Sequence, residues 1–507
     1  MTSQNNKRIA KNTLFLYTRN ILIMAVSLFT VRIVLKTLGA EDYGIQNVVG
    51  GIVAMLSFFS STMVSASMRF FAFELGRKNY KRLNQFFKLS VFTYLGFGIV
   101  VLLIAETVGL WFIKTHLTIP ENRMEAAMWV YQFSIGSFIL QMFVVPFNSM
   151  IIAHEKMNIY AYVSIAEAIL KLVIVYLLLV INADKLKVYS VLLFIVTIII
   201  SLTYIIYSSR KYKECKLSFF WNTEMFKELI SYSGWSLFGS LAGMIRNQGI
   251  NILLNIFFNP VVNAARAIAF QINSTINLFV TNFFQAVRPQ ITKQYALGEN
   301  QEMMKLVFRS SKFCYYLILL FAVPILLETP YILNLWLNDV PEYTVLFTRL
   351  IVITTMIESI SYPLMSAISA TGKIKGFQIF VGGLLILNLP ISYLFLKHGY
   401  PPQATMYIAM GIAVIAQIGR TMFMVKIQNM SIITYLKDII LIILSVTIVA
   451  WLLPYILTLI MDEGFIRLAV LSLVSIFSCI LSIYIIGITN EERIALKNIL
   501  KHKFIRV

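Results

Sequence analysis

Apolar stretches long enough to cross a bilayer follow one another from about Asn12 to Gly487, separated only by short polar loops. A spanning helix needs roughly 20 mostly apolar residues, and windows of that size number about fourteen along the chain. The spans that carry the most amides are the seventh, near 228–258, and the eighth, near 261–287. Barrel strands would alternate in segments of about 10 residues. Runs such as Ile439–Leu453 show no such alternation. The predicted fold is therefore an all-α integral membrane protein. The first span is too long for a signal-peptide core and has no small-x-small cleavage site, so it is predicted to stay as a span.

With 59% hydrophobic and 13% charged residues, the chain has about half the ~25% charged fraction of a soluble domain. Its formal net charge of +20 raises the question of nucleic acid, which the distribution of the charge answers. Lysines and arginines collect in alternate loops: Lys7, Arg8 and Lys11; Arg77, Lys78, Lys81, Arg82 and Lys88; Arg210 to Lys227; Lys373 and Lys375; Lys497 to Arg506. The intervening loops lean acidic, as at Glu41-Asp42, Asn338-Asp339 and Asp462-Glu463. The positive-inside rule then places both termini in the cytoplasm and requires an even number of spans. Membrane lipids account for the basic loops at about 1 kcal/mol per residue, and no basic-aromatic module points to nucleic acid. Cys215, Cys314 and Cys479 are scattered, and the four histidines lack ligand spacing. Neither a disulfide framework nor a metal site is expected. No catalytic set, HExxH or Walker loop is present, so neither a catalytic site nor a cofactor is predicted.

The two halves repeat. Ser149 to Tyr160 reads SMIIAHEKMNIY and Ser366 to Phe377 reads SAISATGKIKGF, with Pro146 and Pro363 upstream, at an offset of about 217 residues. Phe73-Glu-Leu-Gly76 and Tyr295-Ala-Leu-Gly298 each follow an arginine, Arg69 and Arg288, and Glu106 and Glu328 each end the span that follows, the third and the ninth. Six spans per half make the repeat parallel, with its axis along the membrane normal. The expected organisation is an N-lobe at 1–208, a cytoplasmic linker at 209–227, a C-lobe at 228–425, and spans thirteen and fourteen with a basic tail at 426–507. Two such lobes enclose a central cleft that rocking exposes to either side. The linker carries Phe219, Phe220 and Trp221 among lysines, which suits either a segment lying in the interface or a solvated connection.

An arginine in mid-span costs ~2.5–3.5 kcal/mol on the insertion scale, so polar stripes mark interior faces. In span eight, Arg266, Asn273, Asn277 and Arg288 fall on one narrow stripe at ~100° per residue. In span seven, Gln248, Asn251 and Asn255 share a face. These groups either bond neighbouring helices or line a wet, cationic cleft for an anionic head group, while arginines near span ends can also snorkel. The repeat pairs Arg32 with Asn251, which makes Arg32 a cleft candidate. Arg19 and Arg246 stand on other faces and are further candidates. Glu358, matched by Gln141 in the first half, is either a structural acid or a proton-coupling group. Glu167 and Lys171 stand i,i+4, the order of an intrahelical pair.

The opening from Asn12 to Leu38-Gly39-Ala40-Glu41-Asp42-Tyr43-Gly44, and the stretch from Asn259-Pro260 through Arg288-Pro289-Gln290-Ile291-Thr292-Lys293, resemble polysaccharide (O-antigen) flippases of the Wzx type. These lie within the superfamily of multidrug, oligosaccharidyl-lipid and polysaccharide exporters. The resemblance implies a bacterial inner-membrane protein that moves an undecaprenyl-pyrophosphate-linked oligosaccharide to the periplasmic leaflet. Partners implied are the lipid-linked oligosaccharide, membrane lipids, a polysaccharide polymerase and glycosyltransferases. Two other readings stay open. One is an ion-coupled drug or metabolite exporter, which would favour acidic cavity residues. The other is a membrane glycosyl-transferring or polymerising enzyme, which would carry larger outer loops.

Overall fold

The computed structural model describes residues 3–55, 57–116, 119–258, 260–337, 340–428, 430–489 and 492–494. Every regular element among them is helical, because in lipid the helix closes its own backbone hydrogen bonds. The first part of the chain forms α1 (Ser3–Met55), α2 (Ser57–Gly76), α3 (Tyr80–Ile104), α4 (Leu110–His116), α5 (Met124–Ala153), α6 (Met157–Val180) and α7 (Lys185–Lys211). There follow α8 (Thr223–Phe257), α9 (Pro260–Ala296), α10 (Asn300–Trp336), α11 (Thr344–Ser359), α12 (Ser361–Ala370), α13 (Lys375–Lys397) and α14 (Ala404–Gln428). Last come α15 (Ile432–Tyr435), α16 (Ile442–Ile460) and α17 (Phe465–Ser482). Ten helical runs among the described residues are long and apolar enough to cross a membrane. The amide-rich α8 and α9 are not among them, though they run to 35 and 37 residues.

Several boundaries differ from those the apolar windows suggest, each for a local reason. The first predicted span, near 12–37, and the start of the second, near 43–66, lie within one helical run that turns at Gly39, where φ is +82, a backbone region that glycine enters without a Cβ clash. The tenth predicted span, near 343–370, is a single membrane run, Thr344–Ala370, within which α11 passes into α12 at Ile360. Pro363 lacks an N–H and its ring crowds the carbonyl four residues earlier, that of Ser359. Glu328, read as closing the ninth span, instead sits inside α10 at a non-helical bend, with Pro330 just beyond it.

Two compact units emerge, dividing within α8. One is Ala10–Leu237; the other comprises the described residues of Phe238–Val507 with those of Met1–Ile9. In the first, Ile45 and Val49 of α1 pack with Tyr131, Ile135 and Phe138 of α5. The 209–227 connection joins this unit: Cys215 is buried, Asn84 Nδ2 donates to the Glu214 carbonyl at 2.5 Å, and Phe219 meets Phe92 edge-on. In the second unit, Leu254 of α8, Ala265 and Ala269 of α9 and Phe347 of α11 form the core. A Cβ at Gly249 would overlap Leu389 of α13, so the small residue allows α8 and α13 to approach. The repeated turns share a backbone feature: Glu155 and Gly372, matched by the offset read from the sequence, both have positive φ, 60 and 77.

Arg123 ties the loops of the first unit. It donates to Asp42 at 2.6 Å and to Asp184 at 2.8 Å, and Asp184 caps α7 by accepting from the backbone N–H groups of Leu186 and Lys187. Partial burial pushes the Asp184 carboxyl up, but the bonds from Arg123 and the backbone outweigh it and hold the group below its ordinary value. A carboxylate depressed on folding stabilises above its unfolded value, ~3.9 for Asp, and that contribution disappears as pH falls through the folded value. The thermal midpoint of the purified protein should therefore drop on acidification below about pH 4. Asp184→Asn should start lower at pH 7 and show a flatter acid limb in the same titration.

Candidate functional site: a guanidinium cluster in the second unit

Where α11 passes into α12, Glu358 and Ser361 place polar groups inside a membrane run. Glu358 lies one residue before the end of α11. Ser361, at the start of α12, donates its hydroxyl to the Glu358 carbonyl at 2.7 Å. Around Glu358 and Ser361, α8 and α14 each contribute an arginine, and α9 carries a third near that of α8. Arg246 Nη1 meets Glu358 Oε1 at 2.9 Å. Arg420 Nη1 donates to Ser361 Oγ at 3.0 Å. Arg266 donates to Asn251 Oδ1, and its guanidinium lies 4.3 Å from the centre of the Phe270 ring. Asn251 is oriented by donating in turn to Gln248 Oε1 at 3.2 Å.

Of the three guanidinium groups, Arg246 is the one paired directly with Glu358. The Arg246 charge acts unfavourably on both Arg266 and Arg420, whereas Glu358 favours Arg420. Arg266 and Arg420 are 5% and 6% exposed, which matters because a charge withdrawn from water needs a partner. Arg246 has one. Arg266 has an amide and an aromatic face, and its Nε has no hydrogen-bond partner. The double-mutant cycle of Arg246→Met and Glu358→Gln, followed by thermal denaturation, should show a coupling of about 1–3 kcal/mol.

The other candidates divide by place. Asn273 accepts from Thr355 Oγ1 at 2.6 Å and Asn277 from Tyr362 OH at 3.2 Å, so these amides join α9 to α11 and α12. Arg288 shares their stripe but lies 22 residues beyond Arg266, about 33 Å along the axis at 1.5 Å per residue. A stripe that long cannot bring both its ends to one head group. Arg19 belongs to the first unit, where it donates to Asn20 Oδ1 at 2.8 Å and lies 4.8 Å from the Tyr160 ring centre. Arg32 and Asn255 fall outside the described side chains. Lys171 and Glu167 form the expected pair, at 2.6 Å. Arg420, Ser361 and Tyr362 were not singled out from the sequence. Arg420 and Gln417 carry the signal that marked α9, an arginine and an amide one turn apart inside an apolar span. Tyr362 carries none. An apolar cavity of about 540 Å³, walled in part by Tyr315, Met356, Ile443 and Trp451, also lies in this unit. Arg349 is on its wall and donates to Thr329 Oγ1 at 3.4 Å.

Residues 9–294, more than half of the chain, match the family described as polysaccharide biosynthesis protein. The chain belongs to that family. No curated protein matches it in sequence. Among solved structures it is similar to an outward-facing multidrug resistance MATE family transporter of the MOP superfamily, with a TM-score of 0.71 at 11% identity over 83% of this chain and 95% of that one. The MATE transporter ClbM, solved with Rb⁺, gives 0.71 at 13% identity over 85% and 97%. A MOP superfamily transporter from Pyrococcus furiosus gives 0.69 at 11% over 84% and 97%; a reversed polarity of its binding pocket is held to suggest a different function for it. The polysaccharide biosynthesis family member thus has the fold of MOP-superfamily transporters and is a multi-pass membrane protein.

Proposed function

We propose that this protein flips a lipid-linked oligosaccharide, carried on undecaprenyl pyrophosphate, from the cytoplasmic to the periplasmic leaflet of a bacterial inner membrane. The observation that carries the reading is Arg266, a buried guanidinium without a carboxylate partner among the described residues, near Arg246. A pyrophosphate supplies the missing anion, since guanidinium and phosphate oxygens form bidentate, charge-assisted bonds. The family match and the transporter fold support export as the setting. In this reading fourteen spans with both termini cytoplasmic form two six-helix lobes. The polar interior opens to each face of the membrane in turn, while the prenyl tail stays in lipid.

The ion-coupled exporter of a cationic drug is the second reading, and the charge balance argues against it. The cluster's one carboxylate is already held by Arg246, so a cation would meet repulsion there.

The test is reconstitution of the full chain in proteoliposomes with a fluorescent undecaprenyl-pyrophosphate saccharide placed in one leaflet. Accessibility of the sugar to an externally added lectin is then followed in time. Exchange between leaflets that requires the protein is the expected result. Exchange no faster than in empty liposomes, from a correctly inserted protein, would overturn the reading.

A further inference from the structure

We infer that the first unit holds a binding subsite for neutral sugar rings, separate from the guanidinium cluster. It rests on the flippase reading for its biological cargo, but its chemistry can be tested alone. A cavity of about 200 Å³ opens among α1, α5, α6 and α7, walled by Gln46, Ser134, Ser137, Lys171, Ser190 and Thr197. Ligand pockets for drug-sized molecules run ~300–1,000 Å³, so this space suits a single ring.

The lining is rich in acceptors, and its one charged group, Lys171, is paired with Glu167. Ser137, Ser190 and Thr197 donate their hydroxyl hydrogens to carbonyls one turn back, at 2.8, 2.9 and 3.0 Å. Only their lone pairs remain to face the cavity. Gln46 Oε1 is buried and has no hydrogen-bond partner, although buried polar atoms are nearly always satisfied. Gly50 makes room for this amide: a Cβ there would stand 3.3 Å from Gln46 Nε2 and 3.8 Å from Ser134 Oγ. Lys171 adds the one ammonium, and Glu167 neutralises it at 2.6 Å. A metal cation finds no uncommitted carboxylate here, and a phosphate finds no uncommitted positive charge. A polyhydroxylated ring satisfies both lacks at once, since each hydroxyl donates to these acceptors and accepts from the amide or ammonium. Phe133 and Phe138 provide apolar wall for its C–H faces.

The experiment uses the full chain in nanodiscs with Ser137→Cys, alkylated by a neutral maleimide; the natural cysteines are buried. The probes are free glucose, galactose, N-acetylglucosamine and rhamnose, against sodium chloride and inorganic phosphate at matched osmolality. Slower alkylation with at least one sugar, and none with either salt, is expected. Gln46→Leu should raise the half-protecting sugar concentration about fivefold, the loss of one neutral hydrogen bond. Protection by sodium or phosphate, absence of protection by every sugar, or an unchanged half-point in Gln46→Leu would each overturn the subsite. Should Ser137→Cys fail to insert, Ser190→Cys gives the same readout. If sugars protect but the protein moves no lipid-linked saccharide, the flippase reading alone falls. If flipping proceeds without protection, the subsite alone falls.

Discussion

Arg467→Met is expected to lower the thermal midpoint of the purified protein more than any single substitution in the guanidinium cluster. The reason is the fully buried carboxylate it leaves behind. Arg467, on α17, contacts Glu328 of α10 through Nε at 2.8 Å and Nη2 at 3.0 Å. It also reaches the Met461 carbonyl at 3.1 Å and Glu463 at 3.3 Å. The Glu328 side chain is 0% exposed. Removing one partner of a buried pair costs ~3–5 kcal/mol, whereas replacing both by apolar groups of similar volume is often neutral. The double variant Arg467→Met/Glu328→Leu should therefore recover most of the loss. An Arg467→Met midpoint equal to the parent's would show that the pair does not hold the α16–α17 hairpin to α10. The hairpin is tied to α10 a second time, where Lys312 and Tyr316 both donate to the Gly487 carbonyl, at 3.2 and 3.3 Å. The single variant should thus remain folded at room temperature and be measurable.

Arg266→Gln should reduce flipping at least about thirtyfold, and Arg266→Glu should abolish it. Truncating one member of a buried, hydrogen-bonded charge pair costs ~2–5 kcal/mol, and 1.4 kcal/mol is tenfold. The neighbouring Arg246→Gln should cost less. Glu358 already neutralises Arg246, so a pyrophosphate gains less from that guanidinium than from Arg266. The proteoliposome assay with equal amounts of inserted protein decides the order. Equal losses at the two positions would mean that pairing with Glu358 does not rank the arginines. Retained flipping in Arg266→Glu would remove that residue from the head-group path.

Much of the architecture was legible before any coordinates. A long apolar run in lipid has one economical solution, the helix, so the all-helical fold follows from hydropathy. Intramembrane arginines and amides announce interior faces, and Arg266, Asn251, Asn273 and Asn277 all proved to bond neighbouring side chains in the second unit. The breaks were less legible. Pro363 interrupts the helical hydrogen bonding where α11 passes into α12, an effect that a window average hides. Glu328 read as a span end and proved to be a buried partner of Arg467, 139 residues away.

Composition and local pattern therefore determined the solvent of the chain, its helices and the residues that could not face acyl chains. Each of these depends on neighbours within a turn or two. Only the tertiary structure decided which guanidinium has a carboxylate and which does not. Helix rotation and approach are set by packing among segments far apart in sequence, and ion pairing falls off within a few ångströms. Arg246 and Arg266 are both arginines of amide-rich spans, and they differ in that Arg246 meets Glu358 of α11 while Arg266 meets the Asn251 amide.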